Sequence, residues 1–308
     1  MPRRRPAGES RRLQLVYYGY VAGSAVARAV PERVAYALAE VLGRTSARLS
    51  KKRHQVRKNL ARITGEDVAS PALDRLVVEA YASYARYWLE TFRLVREGRH
   101  FFLDRFRCLG EKRLDEVAAR GKGVVVAVGH LGNWDAGGAW VGARGMRVVT
   151  VVEVLKPRRM FDFFARHRRK LGIEIHPAQP GAIEHLRRAV EEGAVVAILA
   201  DRDLKGRGPE VEFFGERTTF PAGPASVALR TGVPVLVAGI ASTVFDDGRR
   251  GWIAEISDPI ELPAEDGPGA VQQLTQEIAR ELEKFIARYP QEWHVFQPVW
   301  LADRGTQR

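Results

Sequence analysis

The sequence predicts an α/β protein with a mostly parallel central sheet of about seven strands, flanked by helices and preceded by a basic helical region. After residue 120, short runs of β-branched residues alternate with amphipathic segments of helical length, a pattern typical of an open parallel sheet with right-handed crossovers. The 308 residues are 45% hydrophobic and 28% charged, which suffices for a large core. We expect one domain over residues 1–308, of which residues 1–65 form a basic, helical N-terminal part.

The N-terminal part carries the net charge of the whole chain. Residues 1–62 contain 15 Lys or Arg and 3 acidic residues, whereas the remaining 246 residues balance at 34 and 34. A flexible basic segment, Met1–Arg12, precedes a predicted helix at Leu13–Ala27. This helix is about 22 Å long, too short for the roughly 30 Å hydrocarbon core of a bilayer. The small residues after Val21 resemble a signal-peptide cleavage region, but the helical pattern continues beyond them and argues against cleavage.

The first two predicted helices carry residues suited to a membrane surface. The second begins at Pro31, and the residues in question are Tyr17, Tyr18, Tyr20, Val34, Leu38, Val41 and Leu42. Basic residues beside an amphipathic, aromatic-containing helix favour an anionic membrane surface. Nucleic-acid binding would require a recognisable module or stacking aromatics among the cations, and neither is evident. We expect a peripheral protein at the cytoplasmic face of the cell membrane; packing of these helices on the core is the alternative.

Three more helices precede the sheet. Ser46–Ile63 is strongly basic, Leu73–Leu94 carries an aromatic stripe typical of a core or of a lipid channel, and Glu111–Arg120 follows. In the first of these, the side chains predicted to point inward are Leu49, Val56, Leu60 and Ile63, and those predicted to point outward are Lys51, Lys52, Arg53, Arg57 and Lys58.

The strands and helices of the α/β part follow in alternation. Strands are predicted at Gly123–Val128, Met146–Val152, Gly172–His176, Val195–Ala200, Val211–Phe214, Val233–Ile240 and Trp252–Ser257. Helices are predicted at Asp135–Arg144, Arg158–Leu171, Ala182–Glu192, Pro224–Thr231 and Val271–Tyr289.

His130 is the main candidate for chemistry. It follows the buried strand Gly123–Val128, and ligands bind beyond the carboxyl ends of the strands in parallel sheets. Asn133 is placed to cap the next helix, whose first turn contains Asp135. A carboxylate at that position would fix the imidazole tautomer and make His130 a general base. A histidine beside a glycine is otherwise often structural.

Two further strand ends and one helix add charged candidates at the same edge. Met146–Val152 leads to Glu153, and Val195–Ala200 leads to Asp201 and Arg202. The helix Arg158–Leu171 has a cluster of cations, and a guanidinium among them suits a phosphodiester or pyrophosphate. A solvent-facing basic helix is the alternative for most of that cluster.

Several other chemistries have little support. Cys108 is the only cysteine, so no intrachain disulfide or cysteine metal cluster is expected, in keeping with a reducing compartment. Cys108 also precedes the predicted sheet, which argues against an acyl-cysteine intermediate. The chain has no G-x-S-x-G elbow and no P-loop. His130 lacks a suitably spaced set of metal ligands, so no metal and no cofactor are expected.

The string His130-Leu131-Gly132-Asn133-Trp134-Asp135 resembles the H(x)4D motif of the bacterial lipid acyltransferase family that includes the late lipid A acyltransferases. Within it, the chain resembles the actinobacterial phosphatidylinositol mannoside acyltransferases most. Three other stretches match: Arg57-Lys58-Asn59-Leu60; Phe213-Phe214-Gly215 with Pro221-Ala222-Gly223-Pro224-Ala225; and Trp293-His294 through Gln297-Pro298 to Trp300.

The resemblance implies roles for several of these residues. Family members carry an acidic residue at the positions of Glu153 and Asp201; the mannoside enzymes usually have Glu at the second, the lipid A enzymes often Asp. Arg168 matches an arginine implicated in the active site, and His294 belongs to the active-site region. We expect Glu153, Arg168, Asp201, Arg202 and His294 to bind substrate.

The expected function is transfer of a long acyl chain, such as palmitoyl, from acyl-CoA to a mannose hydroxyl of a phosphatidylinositol mannoside. His130 would act as the base, oriented by Asp135, in direct transfer with both substrates bound. Three alternatives remain: a lipid A precursor as acceptor, a thioesterase, and a non-catalytic peripheral lipid-binding protein.

Overall fold

The computed structural model describes residues 11–264 and 268–304. Within them, seven strands form a sheet of order β1-β9-β8-β2-β5-β3-β4, in which every pair is parallel except β8 and β9. The predicted α/β class with a mostly parallel sheet of about seven strands is therefore confirmed. The strands of this sheet are β1 Phe106–Leu109, β2 Val124–Val128, β3 Val148–Val152, β4 Ile173–Pro177, β5 Val195–Leu199, β8 Val235–Val244 and β9 Arg250–Ile256.

Helices cover both faces of this sheet. They are α1 Arg11–Ala29, α2 Glu32–Leu49, α3 Arg53–Thr64, α4 Pro71–Arg93, α5 Arg99–Arg105, α6 Glu111–Ala118, α7 Trp134–Ala143, α8 Arg158–Lys170, α9 Ala182–Glu191, α10 Gly223–Thr231, α11 Pro268–Arg288 and α12 Leu301–Arg304. Alternate side chains of each strand point to opposite faces. In β2, Val125 and Ala127 therefore pack with α9, α10 and α11, whereas Val124, Val126 and Val128 pack with α6 and α7.

Two strand predictions need correction. Val211–Phe214 does not join the central sheet: β6 (Glu210–Phe213) pairs with β7 (Glu216–Thr219) in a separate antiparallel hairpin. Its two turn residues, Phe214 and Gly215, both have positive φ, 50° and 74°, which suits a tight hairpin turn. The seventh strand is instead β1, which contains Cys108. Its sequence, Phe-Arg-Cys-Leu, lacks the β-branched residues on which the other strand predictions rested. Cys108 therefore lies within the sheet, not before it.

The predicted helix Ser46–Ile63 is two helices. The chain leaves α2 at Ser50, which is extended, and α3 begins at Arg53. Leu49, predicted to point inward, is 79% exposed as a result. Arg53 and Arg57, predicted to point outward, both pair with Asp74 of α4.

α2 packs mainly through small residues and exposes its large aliphatic ones. Gly43 lies so close to α4 that a Cβ there would come within 2.6 Å of the Ala82 Cα, so the helices approach closely at this point. The other side of α2 exposes Val34, Leu38, Val41, Leu42 and Leu49.

α1 lies against α4 and α8 through some of its aromatic residues. Tyr20 contacts the rings of Trp88 and Phe164 at 5.2 and 5.5 Å, whereas Tyr18 is exposed. Of the helices the structure describes, none is both long enough and apolar enough to span a bilayer.

Candidate active site

The site lies where β2 and β5 end side by side. These parallel strands are paired in register, Val128 opposite Leu199, so the residues two positions further on, His130 and Asp201, are also neighbours. The backbone pairing extends beyond the strands through the Ala200 N–H, which donates to the Val128 carbonyl at 2.9 Å. The parallel register thus brings the two side chains together across 71 residues of sequence.

His130 and Asp201 form a buried dyad. The His130 Nδ1 lies 2.6 Å from Asp201 Oδ1, and the His130 backbone N–H donates to Asp201 Oδ2 at 2.8 Å. The Trp293 indole N–H also donates to Oδ2, at 2.7 Å. With Asp201 accepting at Nδ1, the other ring nitrogen, Nε2, carries the lone pair and is available to accept a proton.

Asp201 is held ionised. Burial alone would raise its pKa, but the adjacent His130 ring and the hydrogen bonds from His130 and Trp293 outweigh burial, and its pKa lies below the usual value. A charged carboxylate at Nδ1 fixes the ring orientation and stabilises the imidazolium that forms when Nε2 accepts a proton.

The carboxylate on His130 is therefore Asp201, and the expected contact between Asp135 and His130 is wrong. Both oxygens of Asp135 accept from Arg168, Oδ1 from Nε at 2.7 Å and Oδ2 from Nη2 at 3.3 Å. α7 begins at Trp134, so Asp135 lies in its first turn and points to α8. Burial opposes the charge of Arg168, but Asp135 more than compensates, and the guanidinium pKa is raised.

The turn that carries His130 is fixed from several sides. Asn133 caps α7 as predicted, its Oδ1 accepting from the Ala136 N–H at 3.0 Å. The C-terminal segment reinforces the turn: the His294 N–H donates to the His130 carbonyl at 2.8 Å, and the Gly132 N–H donates to the Glu292 carbonyl at 2.9 Å. Gly132 has φ of 56°, and a Cβ there would lie 2.3 Å from the Ile240 oxygen, so only glycine fits.

A second carboxylate, not predicted from the sequence, supports this turn. Glu90 of α4 is buried and accepts from the Asn133 side chain at 2.9 Å, the Trp252 indole at 3.0 Å and the Tyr36 hydroxyl at 3.1 Å. Burial raises the pKa of the Glu90 carboxyl, and the nearby charge of Glu292 raises it further. The hydrogen bonds from Asn133, Trp252 and Tyr36 lower the pKa but do not outweigh these effects. Glu90 is the one acidic residue between the aromatic residues Tyr81 and Phe92, and that is the signal that sequence reasoning missed.

Two buried polar atoms near His130 have no partner within the described residues: Nδ1 of His294 and Nε1 of Trp134. The Trp134 ring lies 5.2 Å from the His130 ring and 6.3 Å from the His294 ring. Burial, followed by the charge of Arg86, lowers the pKa of His294 to about 3, so the ring is neutral. Its Nε2 lies 3.0 Å from the Ser83 hydroxyl. Unpaired buried polar atoms are rare in proteins, and these two are free to bind a further donor or acceptor.

The other predicted substrate-binding residues lie at the same edge of the sheet. β3 is the parallel neighbour of β5 and ends one residue before Glu153. The Glu153 carboxylate is more than half exposed and lies 3.7 Å from Arg202 Nη2. Within the described part of the chain, no group of three or more His, Cys, Asp or Glu is arranged to hold a metal ion.

One of the matching sequence motifs has a structural role. In Arg57-Lys58-Asn59-Leu60, Arg57 binds the loop before α4, and Asn59 donates to the carbonyls of Val295 and Gln297 at 2.9 and 3.0 Å. Asn59 thus ties α3 to the C-terminal segment that holds His130.

The chain belongs to the bacterial lipid A biosynthesis acyltransferase family, whose profile matches residues 5–302. The resemblance seen in the sequence is thereby confirmed. A phosphatidylinositol mannoside acyltransferase of Mycolicibacterium smegmatis is 34% identical over 298 residues, 96% of this chain and 94% of the relative. Another of that name from Mycobacterium tuberculosis H37Rv is 36% identical over 297 residues, 94% and 90% of the two chains.

Among solved structures, the 1-acyl-sn-glycerophosphate acyltransferase PlsC of Thermotoga maritima matches with a TM-score of 0.38 and 12% identity. The match covers 82% of this chain and 98% of that chain.

Proposed function

We propose that this acyltransferase moves a long-chain acyl group, such as palmitoyl, from acyl-CoA to a mannose hydroxyl of a phosphatidylinositol mannoside. The observation that carries the proposal is the His130–Asp201 dyad, in which a buried carboxylate at 2.6 Å orients the imidazole. The names of the two mycobacterial relatives support the acceptor.

In the proposed mechanism, both substrates are bound when transfer occurs. His130 Nε2 takes the proton of the mannose hydroxyl, and the oxygen attacks the thioester carbonyl. The new C–O bond forms, the C–S bond breaks, and the proton on His130 passes to the departing CoA sulfur. The Asp201 carboxylate stabilises His130 while it is charged.

The cysteine is a poor candidate for an acyl carrier. Burial, then the charge of Glu111, raises the pKa of Cys108 to about 12, so its thiolate is scarce at neutral pH. Cys108 lies in β1, three strands from β2 in the sheet order. Direct transfer therefore fits this chain better than an acyl-cysteine intermediate.

The two unpaired buried atoms suit the substrate carbonyl or hydroxyl. The Trp134 indole N–H is a donor beside His130, and His294 Nδ1 lies on the adjoining ring. Donors aimed at the thioester oxygen would stabilise the negative charge that develops during attack. Glu153, at the exposed rim, is placed to accept from a sugar hydroxyl.

An apolar cavity of about 520 Å³ between α1, α2 and α4 suits the acyl chain, within the usual size range of ligand pockets. Its wall includes Tyr84 and Trp88, whose rings lie 5.9 Å apart. Tyr84 also lies 5.3 Å from the His294 ring. Aromatic side chains thus connect the cavity with the dyad.

We also propose that the protein docks peripherally on the cytoplasmic face of the membrane. Val26, Leu38 and Leu42 are exposed on α1 and α2 and also line the apolar cavity. The cavity therefore opens on an exposed apolar surface. Exposed cations lie on α2 or directly after it in the chain: Arg33, Arg48, Lys51 and Lys52. Apolar side chains with flanking cations are the combination that anionic bilayers bind.

The test is an acylation assay with purified protein, radiolabelled palmitoyl-CoA and either a phosphatidylinositol mannoside or a lipid A precursor. We expect labelled product with the mannoside, and loss of turnover in His130→Ala with vesicle binding retained. Product with the lipid A precursor alone would overturn the acceptor. Free palmitate released at the same rate without acceptor would indicate a thioesterase. Wild-type turnover in His130→Ala would show that His130 is not the base.

A further inference from the structure

A second cavity adjoins the dyad carboxylate. It measures about 360 Å³ and lies between the loop after β5, residues 201–206, and the C-terminal segment 297–304. Asp201 forms part of its wall, so a group bound there lies next to the dyad.

The two carboxylates in this wall are already engaged by protein donors. Asp201 accepts from His130 and Trp293. Asp203 accepts backbone N–H bonds from Lys205 and Gly206, both at 3.0 Å, and from Gly208 at 2.7 Å. Burial opposes ionisation of Asp203, but these bonds prevail and its pKa is lowered. Both negative charges are therefore directed into the protein.

The wall also contains three cations, and none of their charged groups is hydrogen-bonded to either of these carboxylates. They are Arg202, Lys205 and Arg304. Arg304 donates to the uncharged hydroxyls of Thr219 and Thr218, at 2.7 and 3.4 Å. Arg202 reaches Glu153 only at 3.7 Å, and Lys205 is exposed. Within the residues that the structure describes, none of the three has a carboxylate within hydrogen-bond distance. The wall thus carries three cations and two carboxylates, and the carboxylates accept their hydrogen bonds from other groups.

Arg168, which was expected to bind substrate, differs from these three cations because it is paired with a carboxylate. Its guanidinium makes two hydrogen bonds to Asp135, so its charge is already balanced. A phosphate group of a substrate would therefore bind to cations other than Arg168.

We infer that the 360 Å³ cavity binds a phosphate group of a substrate, held by Arg202, Lys205 and Arg304. The inference rests on the proposed function, because both proposed substrates carry phosphate: the glycolipid has a phosphodiester, and CoA has a pyrophosphate and a 3′-phosphate. Guanidinium groups match the paired oxygens of such anions, and the lysine adds a point charge.

The experiment compares three variants in steady-state acylation, each substrate being varied at saturating concentrations of the other. Lys205→Glu reverses one charge of the wall, and Arg304→Gln removes another while keeping a donor for the threonine hydroxyls. Arg207→Glu is the matched control, because Arg207 is exposed on the same loop and does not line the cavity. We expect KM to rise about tenfold or more in the first two variants, with kcat nearly unchanged and the control like wild type.

The substrate whose KM rises identifies the source of the phosphate. A rise for the glycolipid alone assigns the acceptor phosphodiester, and a rise for acyl-CoA alone assigns the CoA phosphates; either supports the site. Unchanged KM for both substrates, or an equal rise in Arg207→Glu, would overturn it.

A binding measurement separates this inference from the proposed function. Titration calorimetry with free CoA and with a short-chain phosphatidylinositol requires no turnover. Weaker binding of either probe to Lys205→Glu than to Arg207→Glu supports the site even if no mannoside is acylated. Equal binding to the two variants, or no binding of either probe to the wild type, contradicts it.

Discussion

At the scale of single residues, the site depends on which side chain each buried carboxylate contacts. Asp201 contacts His130, and Asp135 contacts Arg168. The two carboxylates are similarly buried, so a comparison of the two Asn variants tests function against structure.

We expect Asp201→Asn to lower kcat by about 10³-fold to 10⁴-fold, as loss of the carboxylate that orients a catalytic histidine does elsewhere. Asp135→Asn should instead act mainly on stability, since it leaves a buried arginine unpaired at a cost of about 3–5 kcal/mol. Turnover and urea unfolding of both proteins provide the measurement. A larger loss of kcat in folded Asp135→Asn than in Asp201→Asn would indicate that Asp135, not Asp201, orients His130.

His294 should make stability dependent on pH. Burial lowers its pKa from 6.5 to about 3, so between those values the unfolded chain binds a proton that the folded protein does not. The free energy of unfolding contributed by this ring therefore falls as the pH drops from 6.5 towards 3, by up to about 1.4 kcal/mol per pH unit. Urea titrations between pH 7 and 5 should show a shallower decline in His294→Asn. Equal slopes in the two proteins would refute this.

The residues of the site could be predicted only in part. The strand-end positions of His130, Glu153 and Asp201 followed from the β-branched runs that precede them. The partner of His130 did not, because the neighbour of β2 in the sheet is set by tertiary packing. A parallel pairing of β2 with β5 would have been enough to place Asp201 beside His130.

At the scale of elements, α2 differs from most amphipathic helices, which bury their large apolar side chains. Its buried residues are mostly small, Ala35, Ala39, Gly43 and Ala47 beside Tyr36, and its large aliphatic side chains face outward. Sequence periodicity located the apolar face at Val34, Leu38 and Val41/Leu42 but did not decide between core and surface. The close approach at Gly43 decides it, since only a very small side chain fits between α2 and α4 at that point.

The double variant Leu38→Glu/Leu42→Glu should lose binding to vesicles while its thermal unfolding changes little, because these side chains are 50% and 64% exposed. The matched control is Leu109→Glu/Val244→Glu, with both side chains 56% exposed on the sheet. Vesicle co-sedimentation of the two variants gives the comparison. Equal loss of binding in both would show that the α2 face is not the contact surface.

At the scale of the whole molecule, part of the basic charge near the N-terminus is balanced by ion pairs. Arg53 and Arg57 share Asp74, and Arg62 pairs with Glu216 and Asp303. The +12 charge of residues 1–62 therefore overstates what a membrane would meet. Composition alone did not show this, since the pairing depends on tertiary contacts between α3, α4 and the C-terminal region. The extent of the single domain stays a prediction.

The exposed cations that remain should make vesicle binding depend on salt. Surface attraction is screened over about 8 Å at physiological ionic strength and about 3 Å at 1 M. We expect affinity for anionic vesicles to fall severalfold between 0.1 M and 1 M NaCl, and binding to neutral vesicles to be weaker and less salt-dependent. Sedimentation at each salt concentration measures this. Identical binding to the two vesicle types at all salt concentrations would contradict electrostatic docking.

The contacts that hold His130 also determine when, during folding, the enzyme becomes competent. His294 meets Ser83 across 211 positions of sequence, and Asn59 meets Val295 across 236. Contacts between such distant parts of a chain form late and slowly. After dilution from denaturant, helical circular dichroism should therefore recover before catalytic activity. A newly made chain would therefore place His130 only in the last steps of folding, and it would stay without acyltransferase activity until those steps are complete.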